Sequence, residues 1–180
     1  MFQKIKLEHY VVLDLETTGL SPELNQIIEI AAIKYHGETE VSRFTSLIKP
    51  SHTIPVEITA LTGIKASDVK DAPLIEEKLA ELIQFIDDLP ICGHNVEFDF
   101  SFLEYAIRKI SNDFAGFKSL DPKEKYVYLK NKQIDTRYLE SVVFPFLTSY
   151  SLVELSQYFK INHTEAHRAL SDVEACAELL

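Results

Sequence analysis

Positive charge is scarce in this sequence. Lysine and arginine total 18 against 28 acidic residues, a formal net charge of -10. That deficit argues against a broad basic surface of the kind that coats duplex DNA. A small nucleic-acid site survives it, because bound metal ions can supply positive charge locally. Cysteine is nearly missing. Cys92 and Cys176 are far apart and form no C-x-x-C pair. A structural zinc site is therefore not expected, and both read as reduced core residues of a cytoplasmic protein. No apolar run is long enough to span a bilayer. The opening MFQKIKLEHY is charged and lacks the apolar core of a signal peptide. No internal repeat or low-complexity linker divides the chain.

What is present suits one domain. The 180 residues are 46% hydrophobic, with the apolar positions well spread. HYVVLDLE reads as a first strand. QIIEIAAIKYHGETEVSRFTSLIKP reads as an antiparallel hairpin turning at His36-Gly37-Glu38-Thr39. Short helices and loops follow to about residue 70, broken at Thr62-Gly63. Apolar residues at 75, 79, 82, 83 and 86 have helical spacing. PICGHN predicts a short buried strand ending at Gly93. VEFDFSFLEYAIRKI predicts a helix with Asn95 as N-cap. QIDTRYL runs from strand into helix, and SLVELSQYF is another helix. The last helix carries Leu170, Val173, Ala177 and Leu180 as one stripe. A hairpin followed by alternating helices and strands indicates an α/β layered domain with a mixed sheet. Residues 111–132 break the pattern with aromatics and lysines, like an insertion.

The first strand ends in VVLDLETTGL. Strand side chains alternate with period 2, so Asp14 and Glu16 share a face. Two like charges at the end of a core strand repel, and burial adds to the cost. A divalent cation between them resolves both problems. Magnesium prefers oxygen ligands and takes few carboxylates; a two-metal site needs acids from several elements. Asp99 stands beside the apolar stripe Phe98, Phe102, Ala106 and Ile110, one turn before Leu103. It also reads as an ordinary first-turn acid favoured by the helix dipole. Glu97 competes in the same turn but faces away from Phe98 and Phe102. Asp172 sits inside a helix, where aspartate has poor propensity, next to Val173 and Cys176. His167 lies five residues earlier. Five helical residues turn about 140° beyond a full circle. The two therefore converge only if His167 precedes the regular helix.

DLETTGL, HNVEFDFSFL and HRALSDVEA, in this order, resemble the three motifs of the DEDDh, or DnaQ-like, 3′→5′ exonucleases. That family includes proofreading subunits and domains of bacterial replicative polymerases and the N-terminal exonuclease domains of DinG-type proteins. ALTGI and IDTRYL are similar to further family landmarks. The resemblance extends over nearly the whole chain. It implies an RNase H-like fold, a five-stranded mixed sheet with helices on both faces. It implies that Asp14, Glu16, Asp99 and Asp172 are both catalytic and metal-binding, holding two divalent cations, Mg²⁺ or Mn²⁺. By the same resemblance Asp14 bridges, Glu16 and Asp172 complete the first site, and Asp99 acts near the second. His167 matches the general base of the family, a role for which imidazole is suited because it titrates near neutrality.

Other positions carry two readings each. Thr17, Thr18 and Gly19 form a plain turn or let a terminal nucleotide approach closely. Thr62, Gly63 and Ile64 are a helix break or pack on the terminal base. Asn95 caps a helix or reaches substrate. Phe98 is core or stacks a base; Phe102 is expected in the core. Lys118, Lys123, Lys125, Tyr126, Tyr128, Lys130 and Lys132 are a solvated flap or track a nucleic-acid backbone. HTEAH places two histidines at helical spacing, but Thr164 stands where a zinc protease needs glutamate. His163 is therefore expected on the loop surface.

The expected function is a 3′→5′ exonuclease acting on single-stranded or frayed DNA in proofreading or repair, releasing nucleoside 5′-monophosphates. The rival readings are an exoribonuclease on short RNA and a non-catalytic nucleic-acid or polymerase-docking module. The final EACAELL is still on a helical apolar period, with no Gly, Asn or Pro to end it. A domain of a longer protein, or one working beside a DNA polymerase or helicase, is expected.

Overall fold

Val11, Val12, Leu13 and Leu15 are all buried, and they lie on β1 (His9–Thr17), the middle strand of the sheet. The computed structural model describes residues 7–113 and 129–180. Its sheet has five strands in the order β3-β2-β1-β4-β5, with β2 (Ile27–His36), β3 (Thr39–Leu47), β4 (Ile91–Gly93) and β5 (Gln133–Asp135). β2 runs antiparallel to both β1 and β3, while β1, β4 and β5 are parallel. The hairpin turn falls at Gly37, whose φ of 58° is the left-handed conformation that glycine adopts at little cost.

Period-2 alternation sorts β1 onto two layers. Val11, Leu13 and Leu15 face a core built with α3 (Ile75–Ile86) and α4 (Val96–Asp113), against Leu79, Leu82, Phe100, Leu103 and Ile107. Tyr10 and Val12 face the opposite layer, where Leu152 of α6 (Leu152–Phe159) and Ala169, Val173 and Cys176 of α7 (Ala169–Leu179) cover the sheet. Asp14 and Glu16 continue the second series, so they emerge on the α7 side. Two shorter helices, α1 (Val56–Thr62) and α2 (Ala66–Val69), enclose a small cluster of Ile28, Ile64 and Val69. α5 (Thr136–Val143) follows β5 directly.

Three local expectations need correction. The apolar face of α7 is Ala169, Val173 and Cys176; Leu170 is only half-buried, and Leu180, beyond the end of α7, is 41% exposed. Asn95 is not the side-chain cap of α4. Its φ is 70°, and the N–H groups of Asn95 and Val96 donate instead to Asp135 Oδ1 and Oδ2 at 3.2 and 3.1 Å. Asp135 Oδ1 also accepts from Tyr138 N at 3.2 Å, so one carboxylate caps two helices. In the lysine-aromatic stretch, α4 continues to Asp113, and Asn131 donates to the carbonyls of Asp87 and Leu89 at 2.7 and 2.8 Å. Lys118, Lys123, Lys125, Tyr126 and Tyr128 lie outside the described residues.

Candidate active site

The site begins where β4 stops. Val12 and Cys92 are the last pair of the β1–β4 ladder, and β4 ends at Gly93 while β1 runs on to Thr17. The edge of β1 beyond that pair has no neighbouring strand to meet its N–H groups. Asp99 takes the place of one, its Oδ1 accepting Leu15 N at 3.0 Å. α4 can approach that closely because residue 93 is glycine. A Cβ there would lie 3.0 Å from Val96 Cγ2 and 3.2 Å from Leu13 O. Asp99 is 2% exposed and Glu16 is 9% exposed.

α7 supplies the fourth carboxylate from the other layer. Asp172 Oδ1 accepts His167 N at 3.2 Å and lies 2.6 Å from His163 Nε2. His167 precedes the first residue of α7, with φ at 63°, so it stands off the regular helix as convergence requires. A ring nitrogen of His167 and carboxylate oxygens of Glu16 and Asp172 all lie within 4.8 Å of one another. His163 is not on the loop surface. Its side chain is 3% exposed, because it packs onto Asp172 under the loop leading to α7.

Burial acts on all four acids, and repulsion by neighbouring carboxylates adds to it at Asp14, Glu16 and Asp99. Burial pushes the Asp14 carboxyl well above its ordinary range, and Asp99, Asp172, Glu16 and Glu29 add to the rise in that order. Glu16 is pushed up to about 8, by burial first and then by Asp172 and Glu29. Burial also raises Asp99, against the lowering effect of the Leu15 N–H. Asp172 is raised by burial despite the opposing hydrogen bond from His163. Among the described residues no hydrogen bond or ion pair meets the Asp14 side chain. The Arg168 guanidinium, which lowers Glu16, is already engaged: its Nε and Nη2 donate to Glu29 at 3.1 and 2.7 Å. Hard oxygen donors crowded together, their pKa values raised by burial despite Arg168, His163 and His167, fit divalent cations of the magnesium or manganese kind.

A family model described as an exonuclease, RNase_T, matches residues 11–180. The chain belongs to this exonuclease family. It is 35% identical over 170 residues to the DNA polymerase III subunit epsilon of Aquifex aeolicus, covering 94% of this chain and 77% of that one. It is 35% identical over 168 residues to the 3′-5′ exonuclease DinG of Bacillus subtilis, covering 93% of this chain and 16% of DinG. Over 170 residues it is 35% identical to the PolC-type DNA polymerase III of Caldanaerobacter subterraneus, covering 94% of this chain but only 11% of that polymerase. Among solved structures, E. coli exonuclease I in complex with a dT13 oligonucleotide superposes with a TM-score of 0.74 at 21% identity, over 96% of this chain and 40% of that one. Exonuclease X in complex with 5′ overhanging duplex DNA gives 0.68 at 22% identity, over 94% and 87%. The shared fold is RNase H-like, and the family consists of metal-dependent nucleases.

Many of the residues expected to border a substrate are committed to their own framework. Thr17 Oγ1 donates to Gly19 O at 2.6 Å. Thr18 is 2% exposed; its Oγ1 accepts Gln26 N at 3.0 Å and contacts His52 Nε2 at 3.3 Å. A Cβ at Gly19 would lie 2.6 Å from the Asn25 amide, which is why the turn closes. Thr62 Oγ1 donates to Ile58 O and accepts Ile64 N. Ile64 is 2% exposed in the Ile28–Val69 cluster, so its side chain does not pack on a base. Gly63 is exposed with φ 73° and closes α1. Asn95 is exposed, and Phe98 is half-buried with its ring centroid 5.0 Å from that of the buried Phe102. Glu97 is exposed, leaving Asp99 as the inward acid of that turn.

Sequence reasoning passed over Glu29, Asp135 and Arg168, and it placed His163 on the loop surface. Glu29 had a legible signal, an acid inside the apolar run IIEIAAI. Asp135 had another, an aspartate directly before a helix.

Proposed function

We propose that this chain is a 3′→5′ exonuclease that removes nucleotides from the 3′ end of single-stranded or frayed DNA and releases nucleoside 5′-monophosphates. The observation that carries the reading is the convergence of Asp14, Glu16, Asp99 and Asp172, from β1, α4 and α7, beside an unconstrained His167 ring. In this reading the four acids hold two Mg²⁺ or Mn²⁺ ions. Cations there would supply an acidified water and charge neutralisation at the phosphate. His167 takes the proton from the attacking water. The leaving 3′-oxygen departs with the shortened strand, and the 5′-phosphate stays on the released nucleotide. The Thr17–Gly19 turn, Thr62, Gly63 and Asn95 border the terminal nucleotide, and the half-exposed Phe98 ring stacks on its base. Ile64 contributes only by supporting that border from the core.

The relatives motivate the setting. The chain spans 11% of the PolC-type polymerase and 16% of DinG. We read it as an exonuclease module that proofreads or repairs beside a polymerase or helicase, joined to it or separate. Among the described residues no helix is long and apolar enough to cross a membrane.

The test uses matched DNA and RNA oligonucleotides labelled at the 5′ end, with Mg²⁺, Mn²⁺ or EDTA. A ladder shortening from the 3′ end of DNA, with nucleoside 5′-monophosphate released, supports the reading. Faster loss of the RNA would replace DNA by RNA as the substrate. No metal-dependent shortening of either would leave the docking module as the better account.

A further inference from the structure

The two histidines of HTEAH have separate tasks. His163 Nε2 lies 2.6 Å from Asp172 Oδ1, and the two side chains are 3% and 12% exposed. The same oxygen accepts the backbone N–H of His167 at 3.2 Å. His163 Nδ1 is buried and meets no partner among the described residues. A proton on Nδ1 would be a buried orphan donor, which is costly. The proton therefore belongs on Nε2, where Oδ1 accepts it. Two donors then occupy Oδ1, and Oδ2 keeps its lone pairs.

We propose that His163 is a positioning residue, which fixes Asp172 through the Nε2–H bond so that Oδ2 is the oxygen offered to a cation. The inference rests on the nuclease reading, in which Asp172 is a metal ligand. It follows the general design in which a ligand carboxylate is oriented by a hydrogen bond from behind. The His163 ring is too enclosed to serve a substrate water, and its donor is already used. His167 is exposed, so it alone is available for proton transfer. The bond also links the loop to α7, whose first residue is separately held where Glu29 accepts Ala169 N at 3.0 Å. His167 is thus held between two anchored points while its backbone sits at a positive φ.

The experiment compares wild type, His163→Leu and His163→Gln. Leucine fills the space without a donor; the glutamine amide restores an N–H near the position of Nε2. Mn²⁺ binding is read by electron paramagnetic resonance without substrate, and folding by thermal melts in EDTA. His163→Leu should bind Mn²⁺ about 10- to 100-fold more weakly, with His163→Gln recovering most of the loss. On a DNA oligonucleotide, kcat should follow the same order while KM stays near wild type. A folded His163→Leu with wild-type Mn²⁺ affinity overturns the proposal. If His163→Leu does not fold, the ¹⁵N shifts of His163 in the metal-free wild type decide: an Nε2–H tautomer supports the bond, and an Nδ1–H tautomer overturns it. Failure of the wild type itself to bind Mn²⁺ would overturn the nuclease reading, and this inference with it.

Discussion

Glu29 and Arg168 are 139 residues apart in sequence and meet through two hydrogen bonds, of 3.1 and 2.7 Å. Glu29 also accepts Ala169 N, so one acid of β2 both pairs with the guanidinium and caps the first turn of α7. In the β1–β2 register Glu29 lies opposite Glu16. The pair thus ties the helix that carries Asp172 to β2, the direct neighbour of the strand bearing Asp14 and Glu16.

Replacing Glu29 by alanine should therefore act on both fold and turnover. Arg168 is 41% exposed, so solvent screening leaves its lost partner a small effect. The buried Ala169 N–H, left without an acceptor, costs about 1–3 kcal/mol. For a chain of this size that is a fall in Tm of roughly 2–12 °C. kcat should drop along with it, because His167 and Asp172 lose their anchor. Calorimetry and steady-state assays on Glu29→Ala and Glu29→Gln check this; a stable Glu29→Ala enzyme with unchanged kcat would refute the coupling.

Asp14→Asn should abolish cleavage and raise the Tm of the metal-free protein. The amide keeps the shape and removes a buried carboxyl whose ionised form burial, Asp99, Asp172 and Glu16 disfavour. Melts in EDTA and a nuclease assay in Mg²⁺ measure the two effects. Retained activity would remove Asp14 from the metal site.

The metal-free fold should become less stable as pH rises from about 5 to about 8. Glu16 holds its proton up to about 8 in the folded state, against an ordinary value of 4.5, and Asp14 and Asp99 are raised too. Within that window the unfolded chain has released protons that the folded chain keeps, so deprotonation favours unfolding. The stabilisation is complete below the unfolded values and is lost as pH passes the folded ones. Mg²⁺ should restore stability most at the alkaline end, where the carboxylates are ionised. A flat profile in EDTA, or one that rises over this range, contradicts the repulsive cluster.

His167→Gln should lower turnover by about 10² to 10⁴ while Mn²⁺ affinity and Tm change little. Its ring is exposed, and its backbone N–H to Asp172 survives the substitution. Single-turnover rates across pH provide the measurement. Turnover equal to wild type at every pH would place the general base elsewhere.

Isolated, the chain should act distributively, removing one or a few nucleotides per encounter. With a net charge of -10 it has little to hold a long strand electrostatically. A long single strand challenged with an excess of unlabelled trap reports the number removed. Extensive digestion in a single encounter would show that no polymerase or helicase is needed for processivity.

The local patterns of this sequence were sufficient for the elements. A buried apolar run specified β1, period 2 placed Asp14 and Glu16 together, and helical spacing marked α3 and α4. The three motifs also carried the family resemblance, and with it the four acids and His167. Contacts between distant segments were a different matter, because hydrogen-bond partners 39 to 140 residues apart leave no periodic trace. Asn95 had the residue type of a cap, yet Asp135 took that role once β4 and β5 lay side by side. Ile64 looked free to meet a base until α1 and α2 folded over Ile28. Spacing alone could not separate His163 from His167. Their difference arose when the loop before α7 turned one ring inward onto Asp172 and left the other facing solvent. A titratable or polar side chain acquires its role from the groups that desolvate and pair with it, and those groups are assembled only by the tertiary fold.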